Sequence, residues 1–198
     1  MPKMHIISSD SHVVEPADLW LRHIEPKFRD RAPHLVRGEQ RDEFVCDGAG
    51  LVEVALMSSG GRVQDPTWNV DTARWDKDVR PGGYNPHKRL ADMKLDSLDA
   101  EVLYPTVALR MFSVADQPYR RACLKAYNTW LSEEYVKPYP KILKGIALLD
   151  LDDIDWSVKD VYRTKKLGLS GAMIPIAPKD RRFQTHHFDP VWTAAEEV

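Results

Sequence analysis

The segment Ala100-Glu101-Val102-Leu103-Tyr104-Pro105, residues 100–105, opens the strand–helix–strand unit that decides the fold of this chain. It is a short apolar run closed by a proline, which is typical of a buried strand. A second such run, Gly145-Ile146-Ala147-Leu148-Leu149, lies further along the chain. Between the two, apolar side chains recur at the spacing of an amphipathic helix from Tyr119 to Leu131. Two buried strands joined by such a helix predict a parallel sheet covered by helices.

The same alternation extends outward from this unit in both directions. We predict four parallel strands, near residues 4–9, 100–105, 143–149 and 171–176. The starts of three helices are marked by side chains that accept hydrogen bonds from free N–H groups, at Asn85, Asp116 and Asp189, and a further helix is expected from about Asp153. A single domain over residues 1–198 accounts for the whole pattern.

A long insertion, from about residue 15 to residue 84, interrupts the alternation after the first strand. It predicts a β-hairpin with arms near residues 34–38 and 43–47, followed by a turn-rich loop. The remaining elements fit either an open, doubly wound sheet or part of a (β/α)8 barrel. No Gly-x-Gly-x-x-Gly pattern follows the first strand, which disfavours a dinucleotide-binding sheet. With four strand–helix units instead of eight, an open α/β sheet and the N-terminal half of a TIM-type barrel both remain open at this point.

Composition argues against several classes of function. With 43% hydrophobic and 29% charged residues, the 198-residue chain has the make-up of a soluble globular protein. Its net charge of −2 gives no reason to expect a nucleic-acid partner. Apolar runs are far shorter than the ~20 residues of a membrane span, and no secretory signal pattern precedes the first strand. We interpret Cys46 and Cys123 as reduced thiols and expect a cytoplasmic protein.

The first strand leads into Asp10-Ser11-His12, which is a candidate metal site. Residues two apart on a strand point to the same side, and the carboxyl ends of parallel strands are where such folds place their active sites. A carboxylate oxygen and an imidazole nitrogen suit zinc, manganese or iron. The alternative interpretation is a polar turn that caps a helix starting near Pro16. Two ligands are also fewer than a catalytic metal site needs.

Four other residues are candidates for a substrate pocket because of their positions alone. Thr106 follows the second strand, Asp150 follows the third, and His186 lies between the fourth strand and the last helix. Arg110 is suited to pair with a substrate carboxylate. For each of them, an ordinary role on the surface or in a loop is the competing interpretation.

The stretch Ile6-Ile7-Ser8-Ser9-Asp10-Ser11-His12-Val13-Val14-Glu15-Pro16 resembles the opening of the amidohydrolase-2 family. That family contains metal-dependent hydrolases and the decarboxylases related to aminocarboxymuconate-semialdehyde decarboxylase. Later segments are similar to family landmarks in the same order, namely residues 27–33, 99–106, 126–131, 168–175 and 189–197. The resemblance therefore spans nearly the whole chain.

The resemblance implies a distorted (β/α)8 barrel with a mononuclear divalent metal, zinc first and manganese or iron as alternatives. Asp10 and His12 match the family's first two metal ligands, with Asp where some members have His. In the family, a further metal histidine follows the fifth strand, a catalytic histidine the sixth and a metal aspartate the eighth. This sequence does not contain those positions, so catalysis by the chain alone is not expected.

Three functions remain open on this basis. The first is a metal-dependent hydrolase that acts on a small carboxylated or cyclic substrate. The second is a metal-dependent decarboxylase of aromatic or unsaturated carboxylic acids. The third is a catalytically inactive half-barrel that needs a complementary chain. Because an unclosed barrel leaves two unpaired sheet edges, we also expect a homo-oligomer or pairing with a chain that carries the missing half.

Overall fold

The computed structural model of the chain describes residues 5–60, 62, 64–177 and 180–198. In chain order, its strands and α-helices are β1 (Ile7–His12), α1 (Leu19–His23), β2 (His34–Arg37), β3 (Asp42–Cys46), β4 (Ala49–Glu53), α2 (Val54–Ser58), α3 (Trp75–Asp78), α4 (Pro86–Leu95), β5 (Ala100–Tyr104), α5 (Gln117–Trp130), β6 (Leu143–Leu148), α6 (Ile154–Lys166), β7 (Gly171–Met173) and α7 (Asp189–Glu196). Over these residues, none of the helices has the length and apolar character needed to cross a bilayer.

The four strands predicted from the alternation pair into one parallel sheet in the order β1-β5-β6-β7. The predicted parallel pairing is therefore confirmed. The order follows the chain without a reversal, whereas a doubly wound sheet reverses its strand order at a switch point. With right-handed crossovers, this order puts the connecting helices on one face of the sheet.

The first and last strands differ from their predicted bounds and surroundings. We predicted a buried strand near residues 4–9, but β1 spans residues 7–12, and the first four residues lie outside the described ones. Ile7 is 61% exposed, because β1 is the edge strand of the sheet and pairs with β5 alone among the described strands. β7 ends at Met173 instead of residue 176, since Pro175 has no N–H to donate to a strand ladder.

Two of the three predicted helix caps are present, and Asp153 caps a further helix. Asn85, Asp116 and Asp153 each accept hydrogen bonds from N–H groups in the first turn of the following helix. The prediction for Asp189 is wrong: this residue is the first residue of α7, and its carboxylate contacts His186 instead. Aromatic and aliphatic side chains from α1, α5 and β5 fill the main core behind the sheet, among them Trp20, Leu103, Tyr127 and Trp130.

The inserted segment forms its own antiparallel sheet in the order β2-β3-β4. The sequence predicted two of these strands and missed β4. The turn between β3 and β4 consists of Asp47 and Gly48 at φ 54° and 76°, and Asp-Gly is a preferred pair for such a two-residue hairpin turn. Within the predicted loop, α3 packs Trp75 against Phe44 and Tyr84, with ring centroids 5.6 and 5.4 Å apart.

Candidate functional site

Asp10 and His12 lie together at the carboxyl end of β1. The distance from His12 Nε2 to Asp10 Oδ1 is 3.6 Å, and the two side chains are 46% and 85% exposed, respectively. Strand geometry explains the arrangement, because alternate residues of a strand share one face. Both polar groups therefore face solvent at the end of the sheet where parallel α/β folds bind their ligands.

The ring of His12 is held in one orientation by a backbone hydrogen bond. His12 Nδ1 lies 2.7 Å from the carbonyl oxygen of Pro105. A carbonyl oxygen can only accept, so Nδ1 carries the proton and donates it. In the neutral ring, Nε2 then keeps its lone pair and lies 3.6 Å from Asp10 Oδ1. Metal-binding histidines usually have this arrangement: one ring nitrogen binds the metal, and the other donates a hydrogen bond to a carbonyl or a carboxylate.

The segment that carries this carbonyl is itself firmly held. The hydroxyl of Thr106 donates to the carbonyl of Val13 at 2.6 Å, and Val13 N–H donates to the carbonyl of Tyr104 at 2.9 Å. These two bonds join the segment that follows β5 to the end of β1. Thr106, which was predicted as a pocket residue, therefore has its hydroxyl engaged in the backbone next to His12.

Glu15 is a site residue that the sequence did not single out. Its side chain is fully buried, and its carboxylate accepts hydrogen bonds from the backbone N–H groups of Thr106, Val107 and Ala108 at 3.2, 2.8 and 2.9 Å. Burial raises the pKa of the Glu15 carboxyl, and these N–H donors act in the opposite direction. Its only signal in the sequence is a carboxylate three residues after His12.

Two clefts meet beside this segment. One, of about 690 Å³, borders β1 and α4 and includes His12 in its wall. The other, of about 710 Å³, lies between β4 and the 3-10 helix Ala108–Ser113 and includes Arg110. Thr106 and Leu56 line both clefts. Arg110 is exposed there, and among the described residues its guanidinium forms no ion pair, so it remains available for a bound anion.

The other two predicted pocket residues lie away from this pair. The carboxylate of Asp150 is buried after β6, where Arg120 Nη2 and Arg121 Nε approach it at 3.0 and 2.9 Å. His186 is fully exposed in the segment before α7, and its Nδ1 lies 2.7 Å from Asp189. Neither residue contributes to the surroundings of Asp10 and His12.

Over the part of the chain that the structure describes, no three His, Cys, Asp or Glu side chains come together as a complete metal site. Asp10 and His12 are therefore a pair of potential ligands with no third one beside them. Such a pair offers one imidazole nitrogen and one carboxylate oxygen, which fit zinc, manganese or iron.

Solved structures share this fold. An amidohydrolase from Mycobacterium avium subsp. paratuberculosis superimposes with a TM-score of 0.74 at 20% identity, over 100% of this chain and 56% of its own. The 5-carboxyvanillate decarboxylase of Novosphingobium aromaticivorans, solved with manganese, has a TM-score of 0.57 at 20% identity, over 98% and 48%. A 2,6-dihydroxybenzoate decarboxylase from Rhizobium gives 0.53 at 15% identity, over 98% and 47%.

The chain thus spans about half the length of the solved structures it matches. No protein-family model matches the sequence, and no curated protein matches it either. At these levels of identity, the likeness establishes the fold, a parallel α/β architecture that amidohydrolases and aromatic-acid decarboxylases also have.

Proposed function

We propose that this chain forms half of a (β/α)8 barrel and supplies Asp10 and His12 as ligands to the divalent metal of an amidohydrolase-type enzyme. The observation that carries the proposal is the hydrogen bond from His12 Nδ1 to Pro105, which leaves Nε2 free beside the Asp10 carboxylate. The proposal rests on the combination of this orientation with the adjacent carboxylate, because His34 Nδ1 also lies 2.8 Å from a backbone carbonyl. Their position at the carboxyl end of β1 also supports a catalytic site.

Zinc and manganese are the first candidates for the metal. The ligand types suit both, and the Novosphingobium decarboxylase holds manganese. When bound, such an ion would supply Lewis-acid chemistry toward a carbonyl or carboxylate of the substrate. The chain's own contribution is to present Nε2 and the carboxylate in a fixed orientation. Arg110, on the adjoining cleft, would orient a substrate carboxylate by paired hydrogen bonds.

Hydrolysis of a small carboxylated or cyclic substrate is the first proposed reaction, as the solved structure that superimposes with a TM-score of 0.74 is an amidohydrolase. Decarboxylation of an aromatic carboxylic acid is the second. It is favoured by the decarboxylases with TM-scores of 0.57 and 0.53 and by the exposed cation of Arg110. A third possibility is that the chain is inactive alone and requires the ligands of a complementary chain, which is consistent with a two-ligand site.

Metal binding by the purified 198-residue chain tests the proposal. Water-proton relaxation detects even weak Mn²⁺ binding, and we expect one site that the double substitution Asp10→Ala, His12→Ala removes. The matched control is His186→Ala, Asp189→Ala, which deletes another exposed histidine–aspartate pair at 2.7 Å. Unchanged Mn²⁺ binding in the first variant would contradict the proposal.

The reaction class is tested separately with two panels of substrates. Lactones and cyclic amides report hydrolysis, and hydroxylated benzoic acids report release of carbon dioxide. Activity on one panel that His12→Ala abolishes would identify the reaction. Metal binding without activity on either panel would favour the half-barrel that requires a complementary chain.

A further inference from the structure

One peptide group lies between Glu15 and His12 and is hydrogen-bonded on both sides. Its carbonyl, from Pro105, accepts the proton of His12 Nδ1 at 2.7 Å. Its N–H, from Thr106, donates to Glu15 Oε1 at 3.2 Å. The buried carboxylate and the exposed imidazole are thus connected through a single peptide, although they make no direct contact.

We propose that Glu15 is a positioning residue for His12, which it orients and polarises through the peptide between Pro105 and Thr106. The inference rests on the proposed function, in which His12 Nε2 binds the metal. A negative charge at the N–H end of a peptide makes its carbonyl a stronger acceptor, because hydrogen bonds in a chain polarise one another. The stronger acceptor favours the ring form with the proton on Nδ1 and makes Nε2 a better ligand, as a carboxylate in direct contact does in many metal sites.

The surroundings of Glu15 support a role beyond local capping. A fully buried carboxylate is costly unless its charge is compensated, and no ion pair involving Glu15 occurs among the described residues. Its compensation comes from three successive backbone N–H groups of the segment after β5. An ordinary cap would come from a neighbouring Ser, Thr, Asn or Asp. Here the acceptor comes from the segment that follows β1, three residues after His12, so the two residues are coupled through both chain and hydrogen bonds.

The tautomer of His12 in the metal-free chain reports this coupling directly. Long-range ¹H–¹⁵N NMR at pH 8, assigned with His12→Ala, should show the proton on Nδ1 in the wild-type chain. In Glu15→Gln, we expect the ratio of the Nδ1–H to the Nε2–H form to fall about fivefold, because a neutral amide polarises the peptide less. Mn²⁺ affinity should fall roughly tenfold, as for loss of other groups that orient a metal-binding histidine.

Asp42→Asn is the matched control. Asp42 is also a buried carboxylate. It accepts from the backbone N–H of Trp75 at 3.0 Å and from Arg74 Nη1 at 2.8 Å, and among the described residues it has no hydrogen bond to the His12 segment. We expect this variant to leave the His12 tautomer unchanged. Glu15→Asp keeps the charge but withdraws it by one methylene, so its tautomer ratio should lie between those of the wild type and Glu15→Gln.

Each outcome decides the inference. A wild-type ring with the proton mainly on Nε2, or a folded Glu15 variant with the wild-type ratio, overturns it. Loss of the fold in both Glu15 variants assigns the residue to stability alone and also overturns it. If the tautomer depends on Glu15 but the wild-type chain binds no Mn²⁺, the positioning role stands and the proposed function fails. If the chain binds Mn²⁺ through His12 but the tautomer of His12 does not depend on Glu15, the proposed function stands and the positioning role fails.

Discussion

The edge strand β1 and the central strand β6 each bring an aspartate to the carboxyl end of the parallel sheet, and the two aspartates have opposite surroundings. Asp10 is 85% exposed, and its carboxylate lies 3.6 Å from the His12 ring. Asp150 is buried between Arg120 and Arg121 of α5, at 3.0 and 2.9 Å. The difference teaches that position at a strand end does not make a carboxylate a ligand. A carboxylate matched by two guanidinium groups serves the fold, whereas one left in solvent beside an oriented imidazole remains available for a metal.

The strands themselves differ in the same way. β6 is buried along nearly its whole length, and β1 has only Ser11 buried. Ser11 faces the helices, where its hydroxyl donates to Glu101 Oε1 at 3.0 Å. The Arg89 guanidinium of α4 then binds both Glu101 and the His12 carbonyl, at 2.6 and 3.1 Å. The face of β1 that carries Ser11 is thus held by hydrogen bonds, whereas the side chains of Asp10 and His12 at its carboxyl end remain exposed.

The largest expected effect comes from substitution of Asp150, the buried aspartate of the two. Asp150→Asn should lower the free energy of unfolding by about 3 kcal/mol, because Arg120 and Arg121 lose their shared buried counter-charge and keep only the more exposed carboxylates of Asp152 and Asp153. Asp10→Asn should change it by less than about 0.5 kcal/mol, as for exposed residues generally. Urea denaturation followed by tryptophan fluorescence measures both. Similar losses in the two variants would contradict the distinction.

The next largest effect concerns the packing of side chains around Gly145 of β6. A Cβ at Gly145 of β6 would lie 2.9 Å from methyl carbons of Leu131, Val136 and Leu169. Gly145→Ala should therefore cost about 1–3 kcal/mol through overpacking. The control is Ser9→Ala on the exposed face of β1, which should be nearly neutral. An unchanged free energy of unfolding for Gly145→Ala in the same denaturation experiment would show that Leu131, Val136 and Leu169 can move to accommodate the methyl group.

Metal should stabilise the chain through β1 alone. At a Mn²⁺ concentration of ten times Kd, binding to the folded state raises the free energy of unfolding by about 1.4 kcal/mol. We expect His12→Ala to abolish this increment and His186→Ala to preserve it. Thermal unfolding with and without Mn²⁺ provides the measurement. An equal increment in the His12 variant would place the ion elsewhere on the chain.

The smallest expected effect concerns Asp47 and Asp116, exposed carboxylates that, unlike Asp10, pair with an arginine. Hydrogen bonds from Arg31 hold the pKa of Asp47 and of Asp116 below their usual values. Their stabilising contribution is therefore complete above the ordinary aspartate pKa of about 3.9, and it is lost as the pH falls through the lower folded-state values.

The difference in Tm between the wild type and Arg31→Ala should accordingly be constant from pH 7 to about pH 4. It should shrink at lower pH as Asp47 and Asp116 become protonated. Arg37→Ala, which removes an exposed contact of 3.4 Å to Asp76, is the control for loss of a surface guanidinium. A difference that grows on acidification would contradict the direction of these pKa shifts.

Local signals in the sequence were enough to predict the parallel strands and most helix starts. The apolar runs at β5 and β6 and the caps Asn85 and Asp116 influence only residues close to them in the chain, so their consequences can be predicted without the fold. The same holds for Asp10 and His12, whose shared face follows from the alternation of a strand. The amidohydrolase-like architecture was predicted from separated motifs, and solved structures of that kind match the fold.

Contacts between distant segments decided the rest. β1 lies three residues later than predicted because its register is set by β5, with an irregularity between Ser8 and Ser11. Whether Asp10 or Asp150 stays free depends on where α5 carries its two arginines, and nothing near either aspartate in the sequence encodes that. The link from Glu15 to His12 passes through a peptide that neither neighbours in the chain. The sequence by itself therefore determined the elements and the candidate ligands, while only the tertiary structure decided which polar groups remain unpaired, because that depends on every group brought within hydrogen-bond reach.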